Sequence, residues 1–220
     1  MFTGIVEAVG TLKSLQKRGQ GAVIEVLTPE SFALSKRVVV GDSIANNGVC
    51  LTATAVHGDS FTADVSAETM TGTCFAFYER GQLINLELAC TPATHLGGHI
   101  MQGHVDGIGE VLQLKSNDEA VDVFIRCPHD LSGYIARKGS IAVDGVSLTV
   151  NDIENDIFRL TLIPHTQSGV NFTSWKAGSR VNLEADVLVR YLERLLEVRS
   201  QKSGQEQGVT LQSLMENGFI

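Results

Sequence analysis

The chain has 220 residues, 43% hydrophobic and 19% charged, with 22 glycines, which suits one or two globular domains and excludes disorder and coiled coil. Lys and Arg total 17 against 25 Asp and Glu, a net charge of −8, so there is no basic field to hold nucleic acid. Met1 to Glu7 has no basic or apolar leader pattern, and the uncharged stretch Leu88 to Val105 holds Pro92, three histidines and three glycines, so neither export nor membrane insertion is expected. The four cysteines, Cys50, Cys74, Cys90 and Cys127, form no Cys-x-x-Cys pair, which points away from zinc and from a disulfide framework and towards the reducing cytoplasm.

In chain order, Ala22–Leu27, Ser43–Asn46, Val49–Val56, Phe61–Val65 and Leu83–Leu88 are short, alternate apolar with polar, and are bounded by Gly, Asn and Asp. That spacing predicts antiparallel strands in a closed barrel. Pro29 to Ser35, and later Pro128 to Ala136, are expected to form short helices. The second half repeats the first. Ser43–Ala89 laid on Ser140–Asp186 at an offset of 97 leaves roughly a third of positions identical, several times what composition gives. Ser43-Ile44-Ala45 matches Ser140-Ile141-Ala142, and Asn85-Leu86-Glu87 matches Asn182-Leu183-Glu184; upstream, Gly4-Ile5-Val6-Glu7 matches Gly103-His104-Val105-Asp106 at an offset of 99. The fold class expected is therefore all-β, two tandem antiparallel barrels of five or six strands each, with divisions at residues 1–96, 97–186, 187–200 and 201–220. Asp186 to Ser200 breaks the repeat with an amphipathic helix carrying Leu188, Tyr191, Leu192, Leu195 and Leu196, read either as an oligomerisation element or as packing on its own barrel. Gln201 to Gly208 is read as a polar, mobile stretch and Thr210 to Asn217 as a last short helix.

The halves differ where chemistry resides. Cys50 and Thr52 share a strand face, as do Ser147 and Thr149, so one thiol is replaced by a hydroxyl on an equivalent scaffold. His99 and His104 are five apart, which puts them on opposite strand faces and disfavours a metal site. Glu184 and Asp186 are read as acids complementing the dipole of the helix that follows. Glu68-Thr69 and His165-Thr166 are read as closing the longest strand of each half, forming a rim that keeps one polar ligand contact. Gly4 and Gly103 permit close approach to a flat ligand. There is no phosphate loop and no dinucleotide fingerprint, and no cofactor is expected.

Met1-Phe2-Thr3-Gly4-Ile5-Val6, Asn47-Gly48-Val49-Cys50-Leu51-Thr52, Gly97-Gly98-His99, Gly103-His104-Val105, Lys138-Gly139-Ser140, Asp144-Gly145-Val146-Ser147-Leu148-Thr149 and Leu162-Ile163-Pro164-His165-Thr166 resemble riboflavin synthases in order and spacing over about residues 1–197. The resemblance implies two six-stranded Greek-key barrels, a C-terminal helix holding a homotrimer, and active sites joining the N-terminal barrel of one subunit to the C-terminal barrel of its neighbour. It implies dismutation of two 6,7-dimethyl-8-ribityllumazine molecules into riboflavin and 5-amino-6-ribitylamino-uracil without an added cofactor. By the same resemblance the first pocket comprises Gly4, Ile5 and Val6, then Cys50, Leu51 and Thr52, and Asp64, Val65, Ser66, Ala67, Glu68 and Thr69. The second comprises His104, Val105 and Asp106, then Ser147, Leu148 and Thr149, and Leu162, Ile163, Pro164, His165, Thr166 and Gln167, with Lys138 reaching across the interface. Proton transfer falls to Ser43, His104 and Asp186, activation or addition to Cys50, and a packing wall to Phe2. The alternative is a non-catalytic lumazine- or flavin-binding antenna protein.

Overall fold

A computed structural model describes residues 1–205 and residue 215. The first repeat forms six strands, β1 (Ala8–Arg18), β2 (Gly21–Leu27), β3 (Ser43–Asn46), β4 (Val49–His57), β5 (Ser60–Val65) and β6 (Leu83–Leu88). The second forms β7 (Gly107–Asn117), β8 (Ala120–Arg126), β9 (Ser140–Val143), β10 (Val146–Glu154), β11 (Ile157–Leu162) and β12 (Arg180–Ala185). Both sheets are antiparallel and close with the same neighbour order, β1-β2-β5-β4-β3-β6 and β7-β8-β11-β10-β9-β12. Even the register slips are repeated: Leu12/Ser14 matches Val111/Gln113, and Ala53/Ala55 matches Val150/Asp152. Such bulges bend a strand enough for a small sheet to curl shut.

Alternation explains what fills each barrel. Ile24, Val26, Ile44, Leu51, Phe61 and Leu86 point into the first core, and Val123, Ile125, Ile141, Leu148, Phe158 and Leu183 into the second. The strand absent from the segment-by-segment sequence reading, β1, alternates buried and part-buried residues only to Leu12 and then becomes largely exposed and polar, so its pattern is weak. The short helices after Pro29 and Pro128 are α1 (Leu34–Arg37), preceded by a 3-10 turn at Glu30–Phe32, and α3 (His129–Ser132).

Two further helices correct the sequence reading. Glu68-Thr69 and His165-Thr166 do not close strands; they lie in α2 (Ala67–Gly72) and α4 (Pro164–Gly169). Ser66 caps α2 by accepting the Thr69 N–H at 3.1 Å, and Pro164 starts α4 where its missing N–H costs nothing. The longest strands are instead β1 and β7, 11 residues each.

The barrels meet about a pseudo-two-fold axis. Gly48 and Gly145 touch there; a Cβ on either would lie 2.8 or 2.6 Å from the other's backbone nitrogen, and both have positive φ. Phe2 and Met101 form an antiparallel bridge, fully buried. Around them runs a polar network that obeys the pseudo-symmetry. Asn85 Nδ2 donates to Asp144 O and Asn182 Nδ2 to Asn47 O, both at 2.9 Å. The Asn171 N–H donates to Asn85 Oδ1 and the Cys74 N–H to Asn182 Oδ1, both at 2.7 Å. The symmetry breaks at Asp144, the counterpart of Asn47, where burial pushes the carboxyl up to about 7. Asn47 Nδ2 donates to the Tyr78 hydroxyl at 2.7 Å, and the residue equivalent to Tyr78 is Trp175.

The chain divides into a unit at Met1–Asp186 and a unit at Val187–Ile220. The second begins with α5 (Val187–Gln205), which extends through the start of the stretch read as polar and mobile. Leu188, Tyr191, Leu192, Leu195 and Leu196 on α5 are all exposed. The helix expected at Thr210–Asn217 lies, apart from residue 215, outside the described residues. No helix among the described residues is long and apolar enough to cross a membrane.

Candidate active site

Residues 1–6 and 100–105 are arms that precede the first strand of each barrel, and each arm leaves its own barrel for the other. The Ser147 N–H donates to Gly4 O at 2.9 Å, and the Cys50 N–H donates to Gly103 O at 2.9 Å. Val6 packs on the second core and Val105 on the first. The grouping expected from the resemblance is thereby corrected: Gly4, Ile5 and Val6 accompany Ser147, while His104 and Val105 accompany Cys50. Sequence proximity to a barrel misleads because six residues of extended chain reach roughly 20 Å, enough to cross a pseudo-axis.

Close approach fixes both arms. Gly4 has φ +77° and Gly103 φ +78°. A Cβ at Gly4 would sit 2.5 Å from the Ser147 Cβ, and one at Gly103 would sit 2.6 Å from the Cys50 Cβ. Phe2 closes the rear of the Cys50 region, fully buried with Ala45, Met101 and Ala142, and Cys50 packs against this cluster.

Each half-site is completed by the neighbouring strand. Because β4 runs antiparallel to β5 with Ala53 opposite Ala63, the Cys50–Thr52 end of β4 lies beside the Asp64–Thr69 end of β5. Val150 opposite Leu160 does the same for Ser147–Thr149 and Leu162–Gln167. Thr52, Asp64, Ser66 and Glu68 are exposed, as are Thr149, Ile163, Pro164 and His165. Leu51, Val65, Leu148 and Leu162 alternate inwards and bury their side chains in the cores. Lys138 is exposed, with φ +66° and its N–H donated to Val150 O at 2.7 Å.

The residues expected to share proton transfer are dispersed. His104 is exposed and next in sequence to the Gly103 carbonyl that holds Cys50. Ser43 sits opposite Thr52 on β3 and lines a cavity of about 910 Å³ with Ile5, Glu87 and Cys90. Asp186 belongs electrostatically with His99, whose imidazole it favours in the charged form.

His99, weighed in the sequence only as a metal ligand, lies beside the candidate residue Ser147 and was not among the site residues expected. Its Nδ1 lies 2.7 Å from Ser147 Oγ, while Nε2 is buried without a hydrogen-bond partner among the described residues. Desolvation lowers its pKa, and Asp186 opposes this, so near neutral pH the ring is uncharged and able to accept a proton. Among the described residues no group of three or more His, Cys, Asp and Glu side chains is placed to hold a metal ion.

Glu184 does not serve the helix dipole. It is buried, and its two oxygens accept the N–H groups of Gln102 at 2.7 Å and Gly103 at 3.0 Å. Glu87 does the same for Thr3 at 2.6 Å and Gly4 at 3.0 Å. Burial pushes Glu184 up to about 7 and raises Glu87, against the opposing pull of these hydrogen bonds. The signal for both was the Asn-Leu-Glu shared by the two halves, since a charge kept on an otherwise apolar strand needs a buried partner.

A lumazine binding domain model matches residues 3–89 and again 102–186. The chain is 43% identical to the riboflavin synthase of Photobacterium phosphoreum and 40% identical to that of Photobacterium leiognathi, each over 220 residues and the whole of both chains. The chain belongs to the riboflavin synthase family. It is accordingly an enzyme, with two lumazine-binding barrels. The family fold extends to LumP, whose crystal structure in complex with 6,7-dimethyl-8-(1'-D-ribityl) lumazine matches with a TM-score of 0.76 at 26% identity, covering 84% of this chain and 99% of that one.

Proposed function

We propose that the protein is a transferase that dismutates two molecules of 6,7-dimethyl-8-ribityllumazine, moving a four-carbon unit from one to the other. The products, riboflavin and 5-amino-6-ribitylamino-uracil, together contain the atoms of two lumazines, so the reaction balances without an added oxidant. The observation that carries this reading is the pair of half-sites on one scaffold, Cys50 with Gly103 and Ser147 with Gly4. Two equivalent pockets suit donor and acceptor molecules that are the same compound.

In this reading the pocket residues are those of the two half-sites: Cys50, Thr52, Asp64, Ser66, Ala67, Glu68 and Thr69 with His104, Val105 and Asp106, and Ser147, Thr149, Ile163, Pro164, His165, Thr166 and Gln167 with Gly4, Ile5 and Val6. The side chains of Leu51, Val65, Leu148 and Leu162 shape the pockets from behind. Deprotonation of the acidic C7 methyl of one lumazine gives an anion delocalised into the ring, which attacks the other molecule. His99 with Ser147 is the better-placed proton acceptor, because its uncharged imidazole is already hydrogen-bonded to a hydroxyl at 2.7 Å. His104, Asp186 and Ser43, which lie apart, serve as separate proton-transfer groups rather than as one relay, and Cys50 activates or adds to the second ring. Lys138 meets the ligand of a neighbouring subunit. The chain works as a cytoplasmic homotrimer, and the exposed apolar residues of α5 support this assembly.

Purified protein mixed with 6,7-dimethyl-8-ribityllumazine alone is expected to form one riboflavin for two lumazines consumed. Tight binding with shifted fluorescence and no turnover would establish the antenna reading instead, which the likeness to LumP keeps in view. Sedimentation equilibrium is expected to give three times the chain mass, and Leu192→Glu to lower it; an unaltered monomer in both proteins would remove the trimer from the proposal.

A further inference from the structure

Each arm is held at two points that belong to different barrels. Glu87, on β6 of the first barrel, binds the Thr3 N–H at 2.6 Å, the Thr3 hydroxyl at 2.7 Å and the Gly4 N–H at 3.0 Å. The carbonyl of that same Gly4 then accepts the Ser147 N–H, in the second barrel. Glu184, on β12 of the second barrel, binds the Gln102 and Gly103 N–H groups, and the Gly103 carbonyl accepts the Cys50 N–H in the first barrel. One glycine residue thus donates its N–H to a carboxyl oxygen of one barrel and offers its carbonyl to the half-site of the other. Holding the N–H side of the glycine fixes the orientation of the peptide that follows, whose carbonyl is aimed across the axis.

We propose that Glu87 and Glu184 are crosswise positioning residues, the carboxylate of each barrel setting the floor of the half-site in the other: Glu87 governs the Ser147 half-site and Glu184 the Cys50 half-site. The proposal rests on the reading that Cys50 and Ser147 mark the two lumazine half-sites. The floor needs such a clamp because glycine at positive φ leaves the arm without a side chain to seat it, while the half-site residue lies within van der Waals contact of the glycine Cα. Reacting groups held by a supporting hydrogen-bond shell lose rate when that shell shifts by a fraction of an ångström. Neither glutamate is required to touch lumazine.

The test reads the two half-sites separately and without turnover. In a Cys90→Ser background, with Cys74 and Cys127 buried, alkylation of Cys50 by iodoacetamide is followed by mass spectrometry of its peptide. Glu184→Gln presents an amide N–H to a backbone N–H and is expected to change the Cys50 alkylation rate by about threefold or more, whereas Glu87→Gln leaves it within about 1.5-fold. Equal changes in both variants, or a larger change in Glu87→Gln, would overturn the crosswise assignment. Should Glu184→Gln fail to fold, Glu184→Asp, which keeps the charge and shortens the reach, is expected to give a smaller change in the same direction; no change in a folded Glu184→Asp would count against the clamp. In fluorescence titrations with lumazine each Gln variant is expected to weaken one of two sites by about fivefold or more and spare the other. Uniform weakening of both sites would reduce the glutamates to general stabilisers. Because the thiol readout involves no riboflavin, a crosswise pattern in a protein that fails to turn lumazine over would leave this inference standing and defeat the dismutase reading.

Discussion

The Cys50 and Ser147 half-sites share a strand, a helix-capped rim, a crossed glycine arm and a glutamate clamp, yet only one has a thiol and only the other has a buried histidine. The same division recurs at the pseudo-axis, where Asn47, Cys74 and Tyr78 in the first half stand opposite Asp144, Asn171 and Trp175 in the second. A duplicated scaffold therefore supplies the geometry twice, and a few unmatched side chains make the halves chemically different. The difference is concentrated in ionisable or nucleophilic groups, as expected if two identical ligands must be treated differently.

The largest expected effect comes from removing that asymmetry. Cys50→Ser makes the two strands chemically alike and is expected to lower kcat by about tenfold to a hundredfold while two lumazines still bind, measured by single-turnover absorbance. Ser147→Ala, which deprives His99 of its partner, is expected to cost a similar factor with a changed pH profile; an unaltered profile would separate His99 from the proton transfer.

Next is the axis that both halves share. Gly145→Ala places a Cβ 2.6 Å from the Gly48 nitrogen and at φ +78°, so chemical denaturation should show a loss of about 2–4 kcal/mol. Gly178→Ala, also at positive φ but with no atom within 4 Å, isolates the backbone contribution and is expected to cost about half as much or less.

A smaller effect tests Asp144 against Asn47. The folded pKa of Asp144, about 7 against an ordinary value of 3.8, means that the folded state binds a proton the unfolded state has released between those limits. That group therefore weakens stability as pH rises from about 4 to 7, by at most about 1.4 kcal/mol per pH unit. Asp144→Asn, which restores the residue of the first half, should remove this slope; thermal melts from pH 5 to 8 that stay parallel to the parent would refute it. Last, Tyr78→Phe removes one acceptor from Asn47 Nδ2, which still reaches Leu83 O at 3.3 Å, and should cost only about 1 kcal/mol in urea unfolding.

Two barrels, their strand faces and the amphipathic helix were legible in the sequence, because period-2 alternation and duplication are local or linear signals. So were Cys50 and Ser147, since a strand face is read from spacing alone. The turn from strand into α2 and α4 was missed although Ser66 and Pro164 stand at the helix starts, because four apolar and polar residues in a row do not distinguish a strand end from one helical turn. What no linear pattern contained was the exchange of the arms, the pairing of His99 with Ser147 and the aim of Glu87 and Glu184. Those depend on which buried donor meets which acceptor once two barrels close on a common axis, and residues 48 to 143 positions apart in the chain become neighbours only there.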